Sequence, residues 1–195
     1  MIALIDYGAG NVASVSNALA ELNQEFKITS NEVEICKADK IIFPGVGEAS
    51  FAMRQLHLLN LFSALRMVKK PILGICLGMQ LMMDNSTEGN VACLGIFTGT
   101  VLKFDSTKTK VPHMGWNDIK KISESKLFTG IKNGERFYFA NSYYVPVNEF
   151  TTAITTNDID FSASLEKGNF YGVQFHPEKS GDAGLKILKN FIELC

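Results

Sequence analysis

Apolar residues follow two spacings in the first part of this chain. Residues 2–5 and 40–43 are short continuous apolar runs of the kind found in buried strands. Each run is followed by apolar residues at helical spacing, over residues 12–22 after the first run and over residues 51–68 after the second. Strands that alternate with helices in this way predict a parallel α/β sheet.

The pattern changes beyond residue 95. Up to residue 174 the apolar segments become shorter and strand-like, for example over residues 100–104 and 170–175. We expect them to form an added antiparallel layer or edge. A last amphipathic helix over residues 183–194 would bury Leu185, Leu188 and Ile192. The whole pattern predicts an open, mostly parallel sheet with flanking helices and an added antiparallel strand layer, in a single domain spanning residues 1–195.

Composition and charge exclude several classes of function. The chain has 195 residues, of which 46% are hydrophobic, so it can bury a sizeable core. A net charge of −1 with scattered Lys and Arg argues against nucleic acid or an anionic membrane as partner. No segment approaches about 18 continuous apolar residues and no signal-like segment opens the chain, so we expect a cytoplasmic protein.

The four cysteines are Cys36, Cys76, Cys93 and Cys195, and none forms a C-x-x-C pair. This spacing argues against a disulfide framework or a zinc site. We therefore expect no metal ion, and we expect no cofactor.

One cysteine is bracketed by glycines. Apolar residues 71–73 lead into Gly74-Ile75-Cys76-Leu77-Gly78, and residues 79–83 then have helical spacing. A strand, a sharp turn and a helix in this order are typical of a nucleophile elbow, here with cysteine as the nucleophile. Glycines are needed because side chains at those positions would collide with the packed strand and helix. Taken alone, the segment fits an inert buried cysteine in a strand-to-helix turn equally well.

A second motif, Gln174-Phe175-His176-Pro177-Glu178, could supply the rest of a catalytic triad. His176 lies 100 residues beyond Cys76 and could act as its base. Residues two apart in extended backbone point the same way, so the Glu178 carboxylate could lie beside the imidazole and orient it.

The other two histidines fit a catalytic role less well. His57 lies on an apparent helix with no acid beside it, which favours packing or exposure at the surface. His113 lies in a loop-like segment that looks functional, yet it has no carboxylate two to four residues away. Its role stays open.

A glycine-containing turn, Pro44-Gly45-Val46-Gly47, follows the apolar run at residues 40–43. Backbone amides in such a turn can stabilise an oxyanion if the peptide adopts or flips into the needed orientation, which glycine permits. The predicted oxyanion residues are therefore Gly45, Val46, Gly47 and Leu77. By itself the turn would be an ordinary strand-to-helix connection, and the two triad motifs change that interpretation.

Together, the motifs around Cys76, His176 and Glu178 resemble the class I glutamine amidotransferase family. Segments at residues 6–11, 111–117 and 137–143 narrow the resemblance to the glutaminase subunits of imidazole glycerol phosphate synthases, which serve histidine biosynthesis. The resemblance covers essentially the whole chain. It implies hydrolysis of glutamine to glutamate and ammonia through a Cys-His-Glu triad and a glutamyl thioester.

The resemblance also implies residues that bind substrate and partner. The positions that hold glutamine correspond to Gln80, Ser142 and Tyr143, the last two partly through backbone. The positions near the partner correspond to Asn11, Trp116, Tyr138 and Lys179. Trp116 is the only tryptophan and lies in a glycine-containing, loop-like segment. An exposed aromatic anchor is expected there, with a buried core tryptophan as the alternative.

The implied partner is a TIM-barrel cyclase subunit in a heterodimer, which would use the ammonia to make imidazole glycerol phosphate. Three positions depart from the family pattern, which usually has an arginine at Ala13, an aromatic residue at Ala49 and a histidine at Asn141. None of the three belongs to the triad, but Ala13 and Asn141 lie in segments associated with the partner-facing side. A paralogous subunit that supplies a surface-sugar-modifying synthase is therefore an alternative.

Two further alternatives belong to other classes of protein. A stand-alone cysteine hydrolase would use the same elbow without a synthase, on a γ-glutamyl or peptide bond. A noncatalytic binding module would keep the fold and lose the triad, and the presence of all three triad residues argues against it.

Overall fold

The computed structural model describes residues 1–195. Its helices are α1 Val12–Glu21, α2 Glu32–Lys37, α3 Ala49–Leu58, α4 Leu61–Met67, α5 Leu77–Gln80 and α6 Gly181–Leu194. Its strands are β1 Ile2–Ile5, β2 Phe26–Thr29, β3 Lys40–Gly45, β4 Ile72–Cys76, β5 Met83–Ser86, β6 Val91–Ala92, β7 Phe97–Lys103, β8 His113–Asp118, β9 Lys120–Lys121, β10 Arg136–Asn141, β11 Tyr143–Tyr144, β12 Thr151–Asn157, β13 Ile159–Lys167 and β14 Phe170–Val173. Short 3-10 helices cover Lys126–Phe128 and Pro177–Lys179.

The main sheet has eight strands in the order β2-β1-β3-β4-β14-β13-β12-β9. The first five strands are parallel to one another. The remaining three continue the same sheet in antiparallel pairs. The expected α/β fold with a mostly parallel sheet and an antiparallel addition is thus confirmed.

Two smaller sheets complete the fold. Strands β8 and β10 form an antiparallel pair, and β11, β7, β5 and β6 form a four-stranded sheet. The strand-rich region beyond residue 95 therefore does not form a single layer. Part of it extends the main sheet, β8 and β10 pair with each other, and β7 and β11 join β5 and β6, which precede residue 95.

The core lies on both faces of the main sheet. In β3, Ile41 and Phe43 face a cluster that includes residues of α3 and α4, whereas Ile42 faces a second cluster with residues of α1 and α6. A parallel sheet covered by helices on both faces needs apolar residues at every strand position. This is why the central strands appear in the sequence as uninterrupted apolar runs and not as alternating patterns.

Two helix predictions in the first half of the chain need correction. The stretch at residues 51–68 is two helices, α3 and α4, which are separated at Asn60, a residue in left-handed conformation with φ of +57°. The predicted helix at residues 79–83 ends as the single turn α5. The Met82 carbonyl oxygen accepts hydrogen bonds from the amides of Ile96 and Phe97, at 2.9 and 3.0 Å. This pairing with a later segment starts β5 where helix was expected.

The last helix is present but is rotated relative to the prediction. Leu188 is buried as expected, and its buried neighbours include Ile187 and Phe191, whereas Leu185 and Ile192 are only partly buried. None of the helices is both long and apolar enough to span a bilayer.

Candidate active site

The backbone at Cys76 is strained. Cys76 ends β4 and immediately precedes α5, and its φ of +54° with ψ of −109° is unusual for a residue with a side chain. Such a conformation costs on the order of 1–3 kcal/mol and persists only where the surrounding packing imposes it. A Cβ atom on Gly78 would overlap the Phe43 carbonyl oxygen, and one on Gly74 would lie 2.8 Å from the Gly78 carbonyl carbon. The two bracketing glycines therefore allow the tight packing that holds the turn.

His176 and Glu178 form a buried pair beside this turn. The His176 Nδ1 atom lies 2.8 Å from Glu178 Oε1, and both side chains are almost completely buried. Burial by itself lowers the pKa of His176, but the Cys76 sulfur and the Glu178 carboxylate outweigh it and hold that pKa well above its ordinary value. The imidazole is thus electrostatically coupled to both neighbours.

A cavity of about 150 Å³ opens in front of the sulfur. Its size suits a small molecule or a single side chain. Its lining residues come from four parts of the chain and are Val46, Gly47, Cys76, Leu77, Gln80, Glu88, Ala140, Asn141, Ser142 and Tyr143. The structure therefore brings the predicted nucleophile, three of the four predicted oxyanion residues and all three predicted substrate residues to one cavity.

The predicted substrate residues differ in what they can offer a ligand. Gln80 is buried, and its Nε2 donates to the Tyr143 carbonyl oxygen at 2.9 Å and to Gln174 Oε1 at 2.8 Å. The same carbonyl accepts from Asn141 Nδ2 at 2.9 Å. Since a carbonyl oxygen has two lone pairs, the Tyr143 carbonyl is fully used within the protein. Any backbone contact between Tyr143 and the substrate would therefore use another backbone atom in this conformation, and the role of Tyr143 stays a prediction.

The predicted oxyanion residues differ in whether their amides are free and whether they line the cavity. The amide of Val46 donates to the Ala9 carbonyl oxygen at 2.8 Å, so this amide is already engaged within the protein. Gly45 pairs with Cys76 at the end of β3 and does not line the cavity. Gly47 and Leu77 do line it. Leu77 begins α5, and amides in the first turn of a helix have no acceptor within the helix.

Sequence analysis missed Glu88 as a cavity residue. Glu88 lies in the loop after β5 and belongs to no recognisable motif, so only the folded chain brings it to the site. Its Oε2 accepts from the Ala49 amide at 2.9 Å. Burial raises the pKa of Glu88, the Ala49 hydrogen bond opposes that shift, and the nearby Glu48 carboxylate adds to it. A half-buried carboxylate in this position could bind an ammonium group.

The predicted partner residues lie close to the triad. Trp116 is 49% exposed, which excludes the buried alternative, but it lies in β8 and not in a loop. It packs edge-on against Tyr138, with 6.2 Å between ring centroids, and Lys179 Nζ lies 6.0 Å from the Tyr138 ring centroid. Asn11 instead turns its side chain toward the triad, where Nδ2 donates to Glu178 Oε1 at 3.3 Å.

The remaining positions have simple structural roles. Ala13 is exposed on α1, and Asn141 is buried and opposite His113 in the β8–β10 pair. His57 is exposed and stacks on Phe62, with 4.6 Å between ring centroids. No group of three or more His, Cys, Asp or Glu side chains could hold a metal ion.

Comparisons with known proteins identify the family of this chain. Residues 3–194 match the family model for "Glutamine amidotransferase class-I". The chain is 53% identical over 195 residues to "Imidazole glycerol phosphate synthase subunit HisH" of Bacteroides fragilis (strain YCH46), covering 99% of both chains. It is 44% identical over 192 residues to the HisH subunit of Haemophilus influenzae, covering 98% of this chain and 96% of the relative.

Solved structures share the fold at lower identity. A crystal structure of a glutamine amidotransferase superposes with a TM-score of 0.76 at 16% identity, covering 100% of this chain and 98% of the other. The structure of PurLQS from Thermotoga maritima gives a TM-score of 0.70 at 21% identity, covering 98% of this chain and 96% of the other. The chain therefore belongs to the glutamine amidotransferase class-I family. Within that family it belongs with the HisH subunits of imidazole glycerol phosphate synthase, so the enzyme class expected from its motifs is confirmed.

Proposed function

We propose that residues 1–195 act as one glutaminase domain, which hydrolyses glutamine through Cys76, His176 and Glu178 and passes the ammonia to a cyclase subunit. The observation that carries this proposal is the strained Cys76 at the mouth of a small cavity, electrostatically coupled to the buried His176–Glu178 pair. Strained backbone at a nucleophile and a histidine with a raised pKa are features of catalytic sites.

In the proposed reaction, the Cys76 thiolate attacks the side-chain carboxamide carbon of glutamine, and the carbonyl oxygen becomes an oxyanion. The Leu77 amide and an amide of the 45–47 turn would stabilise this oxyanion. His176 then donates its proton to the departing nitrogen, so ammonia leaves and a glutamyl thioester remains. The neutral imidazole next activates water to hydrolyse the thioester, while Glu178 orients the ring throughout.

Two side chains would recognise the substrate at its other groups. Glu88 is the carboxylate in the cavity lining and would pair with the α-ammonium group of glutamine. Gln80 uses its Nε2 within the protein and lines the cavity, so its Oε1 would accept a hydrogen bond from the substrate. Ser142 lines the same cavity and would contribute a further polar contact.

The proposed partner is a TIM-barrel cyclase that makes imidazole glycerol phosphate in histidine biosynthesis, in a heterodimer with this chain. The HisH names of the relatives support a synthase partner. Exposed Met114 and Trp116 on β8, together with the half-buried Tyr138 on β10, form an apolar surface beside the triad. The proposed compartment is the cytoplasm, because the reaction needs a reduced Cys76 and all four cysteines are free.

The test is to purify the chain together with its natural partner, supply glutamine, and identify the molecule that receives the nitrogen. Amination of the histidine-pathway intermediate with matching glutamate release would support the proposal. Amination of a sugar-linked acceptor would instead support the alternative, a subunit that supplies a surface-sugar-modifying synthase. Glutamate release at full rate without any partner would instead favour the stand-alone hydrolase.

A further inference from the structure

Gln174 has no role in the chemistry described so far, yet it reaches the nucleophile. It follows β14, lies two residues before His176, and is completely buried. Its Nε2 lies 3.6 Å from the Cys76 sulfur, and its Oε1 accepts from Gln80 Nε2 at 2.8 Å. Gln80 in turn donates to the Tyr143 carbonyl oxygen at 2.9 Å. Two side-chain amides thus link a backbone carbonyl to the reactive sulfur.

The direction of these hydrogen bonds follows from the carbonyl at the end. The oxygen and nitrogen of a side-chain amide have nearly the same shape, so their partners decide which one points where. A carbonyl oxygen can only accept, so Gln80 must present its NH₂ group to Tyr143. That NH₂ group also meets Gln174, which must therefore present its oxygen to Gln80. The NH₂ group of Gln174 is then left facing Cys76.

We propose that Gln174 is a positioning residue that donates a hydrogen bond to the Cys76 sulfur, and that the Tyr143 carbonyl sets the direction of this bond through Gln80. The proposal rests on the proposed role of Cys76 as the nucleophile. Hydrogen bonds to an ionised acceptor are roughly twice as strong as those between neutral groups, so the donor favours the thiolate over the thiol. Because Gln174 is completely buried, water cannot readily replace the lost donor.

The experiment measures the reactivity of Cys76 without glutamine or partner. The full chain is alkylated with iodoacetamide across pH 5–10, and modification of the Cys76 peptide is followed by mass spectrometry, which separates it from the exposed Cys36. Gln174→Met keeps a similar length and removes the donor. We expect its alkylation midpoint to move about one pH unit upward, which corresponds to tenfold less thiolate at a given pH below the midpoint.

A matched control separates this effect from general destabilisation. Asn190 is another buried amide, in α6, which donates to the Leu127 and Thr129 carbonyls and does not line the cavity. Asn190→Leu should lower thermal stability and leave the Cys76 midpoint unchanged. A folded Gln174→Met variant with the parent midpoint would overturn the proposal.

A variant of Gln80 tests whether the Tyr143 carbonyl acts on Cys76 through Gln80. Gln80 has no hydrogen bond to the sulfur and donates to Gln174. Gln80→Met frees the Gln174 amide to rotate, so the midpoint should move upward by less than in Gln174→Met. In the double variant, the alkylation midpoint should move no further than in Gln174→Met alone. Additive shifts of the midpoint would show that Gln80 does not act through Gln174.

If Gln174→Met does not fold, Gln174→Glu keeps the side-chain shape and replaces the donor with a carboxylate. It should raise the midpoint at least as much as expected for the methionine variant, and an unchanged midpoint would overturn the proposal. Glutaminase activity is measured separately on the complex. If the complex of the parent chain had no glutaminase activity, the proposed function would be wrong. The role of Gln174 is decided separately, by the alkylation profile.

Discussion

The amide of Val46 donates a 2.8 Å hydrogen bond to the carbonyl oxygen of Ala9, beside the cavity that contains Cys76. Val46 is one of the residues predicted to stabilise the oxyanion, and in this conformation its amide is already used. Breaking one such bond costs about 0.5–1.5 kcal/mol net. A partner that supplies about 2.7 kcal/mol would give about 100-fold activation. On these magnitudes, a modest binding energy would be enough to release the Val46 amide from Ala9.

The first prediction follows from this contact. The isolated chain should be a poor glutaminase, and the synthase partner, especially with its acceptor bound, should raise the rate of glutamate release by about 100-fold, since rotation of the 45–46 peptide becomes favourable. Glutamate release should be measured for the chain alone, with partner, and with partner plus acceptor. Equal rates in the three conditions would contradict activation by the partner.

The second prediction concerns the nucleophile. Cys76→Ser should lower glutamine-dependent synthesis by roughly 1,000-fold or more, because a serine hydroxyl is a much weaker nucleophile at neutral pH. Synthesis from added ammonium salts should continue when the partner is present. Cys36→Ser, at an exposed cysteine, is the matched control and should behave as the parent. Normal glutamine turnover by Cys76→Ser would show that Cys76 is not the nucleophile.

The third prediction concerns Glu88 and pH. Burial raises the pKa of Glu88 above its ordinary value of 4.5, so this carboxylate becomes neutral at a higher pH than most glutamates. Neutral Glu88 cannot pair with an ammonium group, so KM for glutamine should rise as pH falls toward that raised pKa. Glu88→Gln should raise KM roughly 10- to 100-fold at neutral pH and remove this pH dependence. KM should be measured for the complex between pH 5 and 8.

Glu48 provides the control for that experiment. Its carboxylate accepts a hydrogen bond from Ser50, and it is exposed and does not line the cavity. Glu48→Gln should therefore change KM little. If Glu88→Gln had the KM of the parent, the ammonium group would have to bind elsewhere.

The fourth prediction concerns the surface on β8 and β10. Trp116→Ala should weaken association with the cyclase by about 2 kcal/mol, roughly 30-fold in Kd, because large aromatic residues dominate binding energy at interfaces. Met67→Ala is the control, since Met67 is 73% exposed on α4, which packs on the opposite face of the sheet. Calorimetric titration of each variant gives the comparison. Equal affinity for both variants would place the interface elsewhere.

Local patterns in the sequence were enough to predict the parallel sheet, the sharp turn at Cys76 and the His176–Glu178 pair beside it. Uninterrupted apolar runs indicate strands covered on both faces, and the bracketing glycines indicate a turn too tight for side chains. These features are encoded within a few neighbouring residues. Local patterns predicted the ends of helices less well. The helix after Cys76 ends early because the Met82 carbonyl pairs with the amides of residues 96 and 97, which come later in the chain.

Tertiary structure alone added Glu88 to the site and decided which of its polar groups are already hydrogen-bonded. Glu88 belongs to no motif and reaches the cavity because β5 leads into a loop beside Ala49. The engagement of the Val46 amide and of the Tyr143 carbonyl also depends on hydrogen bonds to residues distant in sequence or on another element. Hydrogen-bond partners of this kind are set by the packing of separate elements, and no local spacing of residues specifies them.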